Sequence, residues 1–222
     1  MNRFSPLVRF LTVISVIVFI FMGSIRFLIS PVFLAVEYRM PGFPPDTYGF
    51  SFEERMTWAR VSVHYLNSRE NIDYLAQQSI SDGVPLYNER ELSHMEDVKF
   101  LIDRAMITWY ISIALLILLG LFSHEYGLNL EFWDSVSKGG LWIIGIIVAI
   151  LLGVVMNFDY LFTQFHHLFF QGDTWLFSYS DSLIRLFPIR FWQDAFIMMG
   201  GLAVIGGLLA FFLGRRLRRK NA

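Results

Sequence analysis

The chain contains no cysteine. That excludes disulfides, thiolate-bound zinc and a thioester acyl-enzyme. Charge is also scarce. Asp, Glu, Lys and Arg make up 17% of the 222 residues, where a soluble domain carries about 25%. No Gly-rich phosphate loop, Gly-x-Ser-x-Gly elbow or His-Glu-x-x-His helix occurs. Nucleotide-driven work, an α/β-hydrolase nucleophile and a zincin metal site therefore have no support. There is no internal repeat and no low-complexity tract. Histidine is limited to five residues, His64, His94, His124, His166 and His167.

What the chain has instead is apolar surface. Hydrophobic residues make up 55% of it and cluster in long runs at 10–25 (continued beyond Arg26 by 27–36), 106–122, 141–156 and 195–213. Each run approaches the roughly 20 residues that cross a bilayer. The fold class read from this is an all-α integral membrane protein with four transmembrane helices. It is read as a single membrane domain over 1–222, with spans at about 10–30, 106–122, 141–158 and 195–213.

Arg3 and Arg9 precede the first span, and Arg215, Arg216, Arg218, Arg219 and Lys220 follow the last. Basic flanks stay on the cytoplasmic side, so both termini are expected there. The segments at about 37–105 and 158–194 are then extracytoplasmic, and 123–140 is a short inner loop. No small-x-small cleavage site follows the first run, and Arg26 and Pro31 occupy that region. The first span is therefore expected to be retained rather than cleaved.

The first outer segment reads as largely helical. Residues 37–52, EYRMPGFPPDTYGFSF, are too rich in Pro, Gly and aromatics for a helix. Ser51 and Glu54 then have capping-box spacing, which predicts a helix start. Leu75 to Leu86 reads as a polar loop. Asn88, with Glu91 three residues on, predicts a second start, and nothing breaks that helix before the second span. Residues 178–194, with Pro188, suit a short amphipathic segment leading into the fourth span.

Two histidines stand out by position. On one continuous helix His94 lies about twelve residues before Met106, roughly 18 Å at 1.5 Å per residue. His166 lies about ten residues beyond Met156, roughly 15 Å by the same rise. Both would stand at similar height on the outer side. In FTQFHHLFFQGDTW, residues 162–175, a helix puts His166 on a face with Asp159, Thr163 and Phe170. His167 points about 100° away, so the pair cannot chelate one ion. The plain reading of these histidines is interfacial packing among aromatics. The chemical reading is proton transfer. For His94, Asp97 one turn later is a candidate orienting carboxylate, against the plain reading of a solvated charged face. Asp159 is the corresponding candidate for His166. Arg26 interrupts the first run near its outer end, and either snorkels to the interface or binds an anionic headgroup or ester oxygen. His64 and His124 read as surface residues. No metal site is expected from these spacings, and the basic tail suits topology or anionic lipid rather than nucleic acid.

FDYLFTQFHHLFFQGDTWLF (158–177), LIRLFPIRFWQDAF (183–196) and SHMEDV around His94 together resemble a family of small four-span bacterial membrane proteins that includes the lipoprotein intramolecular transacylase. The order of span, long outer segment, span, span, Phe-His segment and span resembles it too. The resemblance implies an acyltransferase in the bacterial cytoplasmic membrane, with its active site on the extracytoplasmic side. Its substrate would be a diacylated lipoprotein, whose sn-2 acyl chain moves to the α-amine of the N-terminal cysteine to give a lyso-form. It also implies catalysis by two histidines, which fall on His94 and His166. Arg26, Asp159 and Asp97 are the candidates for binding, orientation or oxyanion stabilisation. No cofactor, nucleic acid or obligatory protein partner is expected besides the lipoprotein and membrane lipid. A lipid or lipoprotein esterase using water, and a non-enzymatic lipoprotein-binding protein, remain the alternatives.

Overall fold

The computed structural model describes residues 3–81 and 83–221. Its helices are α1 (Ser5–Leu28), α2 (Pro31–Glu37), α3 (Phe52–Asn67), α4 (Asp73–Ala76), α5 (Glu89–Glu125), α6 (Asn129–Met156), α7 (Phe158–Phe169), α8 (Ser182–Leu186) and α9 (Ile189–Lys220). Strands β1 (Ser79–Ser81) and β2 (Val84–Pro85) form one antiparallel pair. Four helices, α1, α5, α6 and α9, are long and apolar enough to cross a membrane. The protein is a helical, multi-pass membrane protein.

By backbone proximity the chain divides into two compact units, one of 1–26, 105–153 and 197–222, the other of 27–104 and 154–196. In the first, the buried face of α1 repeats every fourth residue through Val8, Thr12, Val16 and Ile20, as one face of a 3.6-residue helix must. Val16 and Ile20 join Val136, Ile143 and Ile147 of α6 and Ala203 of α9 in one core. In lipid, helices associate through close packing, because the tails are as apolar as the side chains. Gly207 marks one such close approach. A Cβ placed there would meet the Gly140 carbonyl at 2.7 Å and Ile144 Cγ1 at 2.7 Å, so α6 and α9 touch backbone to backbone.

The second unit is built from local signals that the sequence displays. Ser51 and Glu54 form the predicted capping box at the start of α3. Asn88 and Glu91 form a second at the start of α5: the Asn88 N–H donates to Glu91 Oε2 at 2.8 Å, and the Glu91 N–H donates to Asn88 Oδ1 at 3.0 Å. Helix α5 runs unbroken to Glu125. Residues 38–51 lack regular structure, as Pro41, Pro44 and Pro45 dictate. The expected loop from Leu75 to Leu86 is instead α4 and the β1–β2 pair. The Leu86 N–H donating to the Gln78 carbonyl at 2.8 Å extends that pairing. Helix α6 stops at Met156, and Asn157, expected to lengthen that span, caps α7 through its side-chain oxygen.

The core of this unit gathers Phe50, Tyr65, Leu75, Leu86, Tyr87, Met95, Leu183 and Leu186. Polar pins surround it. Glu91 Oε1 accepts the Leu183 N–H at 2.7 Å, so one buried carboxylate holds the first turns of both α5 and α8. Arg55 donates to the carbonyls of Arg185 (3.0 Å) and Pro44 (2.7 Å). Arg185 binds Asp46 through two nitrogens, at 3.2 and 3.0 Å, and both side chains are largely shielded. Together these fix the Pro-rich segment onto α3 and α8.

Glu37, at the end of α2, is 0% exposed. Neither carboxyl oxygen meets a hydrogen-bond donor among the described residues. Its pKa is raised from 4.5 to about 7, first by burial and next by the charge of Asp194; Arg190 opposes the rise. Glu37 is therefore protonated below about pH 7. Asp194 is itself bonded to Arg190.

Candidate active site

Helix α7 begins where Asn157 accepts the Tyr160 N–H at 3.0 Å. From there Phe158, Phe162 and His166 recur every fourth residue and line one face. Phe158 stacks on Phe162 with ring centroids 5.5 Å apart, and packs edge-on against Phe196 at 5.7 Å. Phe162 meets Trp192 at 6.1 Å. These contacts seat the α7 face on the first turns of α9 and turn His166 inward. His166 is 8% exposed, while His167 one position on is exposed. His94 reaches the same place from α5, one turn after the Glu91 pin, and is also 8% exposed.

The two imidazoles stack, with centroids 6.1 Å apart and planes 21° apart. Aromatic rings enclose them. Phe170 touches both, at 4.9 Å from His94 and 5.4 Å from His166. Phe177 packs edge-on against His94 at 5.3 Å. Trp175 lies 4.7 Å from His166, tilted by 34°.

His166 Nδ1 is 2.7 Å from the Phe162 carbonyl, one turn back. A carbonyl only accepts, so Nδ1 carries the hydrogen and Nε2 keeps the lone pair. Burial holds this imidazole below the ordinary histidine value, against the pull of the Phe162 carbonyl, and His167 adds to the lowering. The ring is therefore neutral at pH 7. His94 Nδ1 is buried and has no hydrogen-bond partner among the described residues. Two close, neutral, desolvated imidazoles can take a proton from one atom and return it to another.

Not every candidate read from the sequence joins this site. Asp97 and Asp159 are both exposed. No ion pair among the described residues links either to an imidazole, and the backbone of Phe162 takes the orienting place considered for Asp159. Arg26 is half-buried in the last turn of α1 and belongs to the other unit. His64 packs against Tyr74 at 5.3 Å and lines a separate shallow groove of about 320 Å³ with Thr57, Arg60 and Val61. Among the described residues no three His, Asp or Glu side chains gather within reach of one ion. Of the enclosing rings, helical spacing placed Phe170 on the His166 face, whereas nothing in the sequence singles out Trp175 and Phe177. Their only signal is a high density of aromatics around the histidines.

Comparison with known proteins gives four findings. The profile of the family described as "Lipoprotein intramolecular transacylase Lit" matches residues 10–192. The in meso structure of the membrane integral lipoprotein intramolecular transacylase Lit from Bacillus cereus superposes with a TM-score of 0.73 at 18% identity, covering 99% of this chain and 98% of its own. A second in meso structure of that protein, with a histidine-to-arginine substitution, gives 0.70 over 99% and 94%. At this identity the likeness is one of fold. An uncharacterized protein of Aquifex aeolicus (strain VF5) is 28% identical over 211 residues, 93% of this chain and 94% of its own length.

Proposed function

We propose, from the premise that this chain belongs to the lipoprotein intramolecular transacylase family and is an acyltransferase of lipoproteins, that His94 and His166 transfer the sn-2 acyl chain of a diacylglyceryl lipoprotein to the α-amine of its N-terminal cysteine. The observation that carries the reading is the imidazole pair itself, stacked at 6.1 Å inside an aromatic enclosure.

Donor ester and acceptor amine lie on one substrate molecule. Holding both in reacting geometry removes most of the entropic barrier, an effect that reaches roughly 7–11 kcal/mol in well-oriented systems. An acyl-enzyme is therefore unnecessary, in keeping with a chain that has no cysteine. The neutral amine attacks the sn-2 carbonyl and an N–C bond forms. His166 Nε2 accepts the proton that nitrogen sheds. That proton passes to His94 and on to the sn-2 oxygen as the C–O bond breaks. One proton leaves nitrogen and one arrives on oxygen, so the rings end as they began. Water is excluded by Phe170, Trp175 and Phe177, which favours the amine over hydrolysis. The tetrahedral oxyanion needs a donor, a role that a backbone N–H can fill.

The same reading places both termini in the cytoplasm and the histidines on the outer side of the bacterial cytoplasmic membrane, because the basic flanks precede α1 and end α9. It needs no cofactor and no second protein.

The test is mass spectrometry of a reporter lipoprotein co-expressed in a bacterium that makes only the diacyl form. The expected product keeps both acyl chains, with one amide-linked. Free fatty acid without the amide would instead make the protein an esterase.

A further inference from the structure

We propose that Trp175 is a positioning residue that stabilises the cationic form of His166 generated during transfer. This rests on the assignment of His166 as the base.

The geometry is that of an aromatic face against an imidazole, with centroids 4.7 Å apart and a tilt of 34°. A cation within about 6 Å of an indole centroid is attracted by the ring quadrupole, most strongly where water is excluded. His166 is buried, so that condition is met. Its other ring neighbours do less. Phe165 presents an edge-on geometry at 79°, and Phe162 and Phe170 are the poorer cation partners that phenyl rings are relative to indole. The titratable groups facing His166 are His94 from α5 and His167 from its own helix. Neither supplies a negative charge. Among the described residues a proton arriving on His166 thus finds no carboxylate beside it; the Phe162 carbonyl holds Nδ1, and the indole is the side-chain counterpart within reach.

Trp175 is held for this role. Its Nε1 donates to the Gly172 carbonyl at 3.2 Å, inside its own loop. That turn needs the positive φ of +65° at Gly172, which glycine tolerates best. The Leu176 N–H donates to the Asp173 carbonyl at 3.1 Å, and Arg90 donates to the Leu176 carbonyl at 3.1 Å, which ties the loop to the first turn of α5. The indole also meets His167, at 5.4 Å with the ring planes 88° apart, so it lies between the two histidines.

The test replaces Trp175 alone in the full-length protein with mono-, di- and trifluorinated tryptophans, which weaken the quadrupole with little change of shape. A Trp175→Phe and Trp175→Leu pair runs beside them. The readouts are kcat, KM and the pH dependence of transfer with a diacylated lipopeptide in lipid–detergent micelles. The expected result is a stepwise fall in kcat, reaching about tenfold, with KM unchanged and the lower acidic limb of the profile displaced to lower pH. Leu should lose more than Phe. A flat response across the fluorinated series overturns the proposal. So does a loss of activity with an unmoved limb, which marks a merely structural role. Failure of the underlying two-histidine reading is separable: His166→Ala would then keep its activity.

Discussion

His166 is tied by Nδ1 to the carbonyl of Phe162, one turn earlier on the same helix, at 2.7 Å. No side chain need be spared to fix its tautomer, and the lone pair of Nε2 is free by default. Its partner ring, His94, has no hydrogen bond at Nδ1 among the described residues. The two imidazoles are therefore not equivalent, although they stack on each other.

This difference bears on mutation. His166→Ala and His94→Ala should each lower transacylation by about 10²–10⁴-fold, the range for losing a positioned acid or base. His167→Ala should cost little, because that ring is exposed. Comparing lyso-form yield with membrane-inserted protein by mass spectrometry and immunoblot checks all three. Wild-type yield from either of the first two variants would remove the mechanism.

A second prediction concerns pH. Transfer requires a neutral substrate amine, whose value in the free peptide is about 8. The proposed mechanism also requires a neutral His166, held below the ordinary histidine value by burial. Log kcat/KM should then rise with slope one below the amine's limb, and with slope two below a further limb under about 6.5. A slope of one down to the lowest accessible pH would show that no histidine base titrates.

Glu37 gives a stability prediction with the opposite sign. Its folded pKa of about 7 exceeds the ordinary 4.5, so the folded state binds a proton that the unfolded state releases. Stability is full below pH 4.5, falls as pH rises toward 7, and stays reduced above, by on the order of 3 kcal/mol. Thermal unfolding in detergent between pH 5 and 8 should show the decline. Glu37→Gln, which mimics the protonated acid, should flatten it. A wild-type midpoint that does not change over this range would contradict the protonated state.

Close helix packing supplies the fourth prediction. Alanine improves helix propensity over glycine by about 1 kcal/mol. At Gly207 the new methyl would press on the Gly140 carbonyl at 2.7 Å. Overpacking of this kind costs about 1–3 kcal/mol, and backbone cannot swing aside, so Gly207→Ala should lower the melting temperature. A methyl group added at Gly145 would meet nothing within 4 Å, and Gly145→Ala should hold or raise it. Equal shifts in the two variants would refute the contact.

Much of this was legible from local chemistry. The Ser51–Glu54 and Asn88–Glu91 spacings identified both helix starts, and the absence of a breaker after Asn88 identified the length of α5. Helical periodicity separated His166 from His167, and the structure buries the first and exposes the second. What stayed hidden has physical reasons. A backbone carbonyl, such as that of Phe162, looks the same whatever residue carries it. The loop bearing Trp175 and Phe177 has no period from which to read a face. The Glu37–Asp194 charge interaction joins residues far apart in the chain, and no sequence spacing announces it. The β1–β2 pair is too short for an alternating pattern.

The unit that holds the imidazoles is discontinuous, formed by 27–104 and 154–196. Its core takes Tyr65, Leu75 and Met95 from the first stretch and Leu183 and Leu186 from the second. During synthesis His94 emerges long before His166, and the residues that close the core come later still. The first stretch can form α3 and the capping boxes, but Glu91 waits for the Leu183 amide. The imidazole pair is therefore completed only at the end of biogenesis, and a chain arrested before residue 183 carries His94, and even His166, without a finished core to hold them.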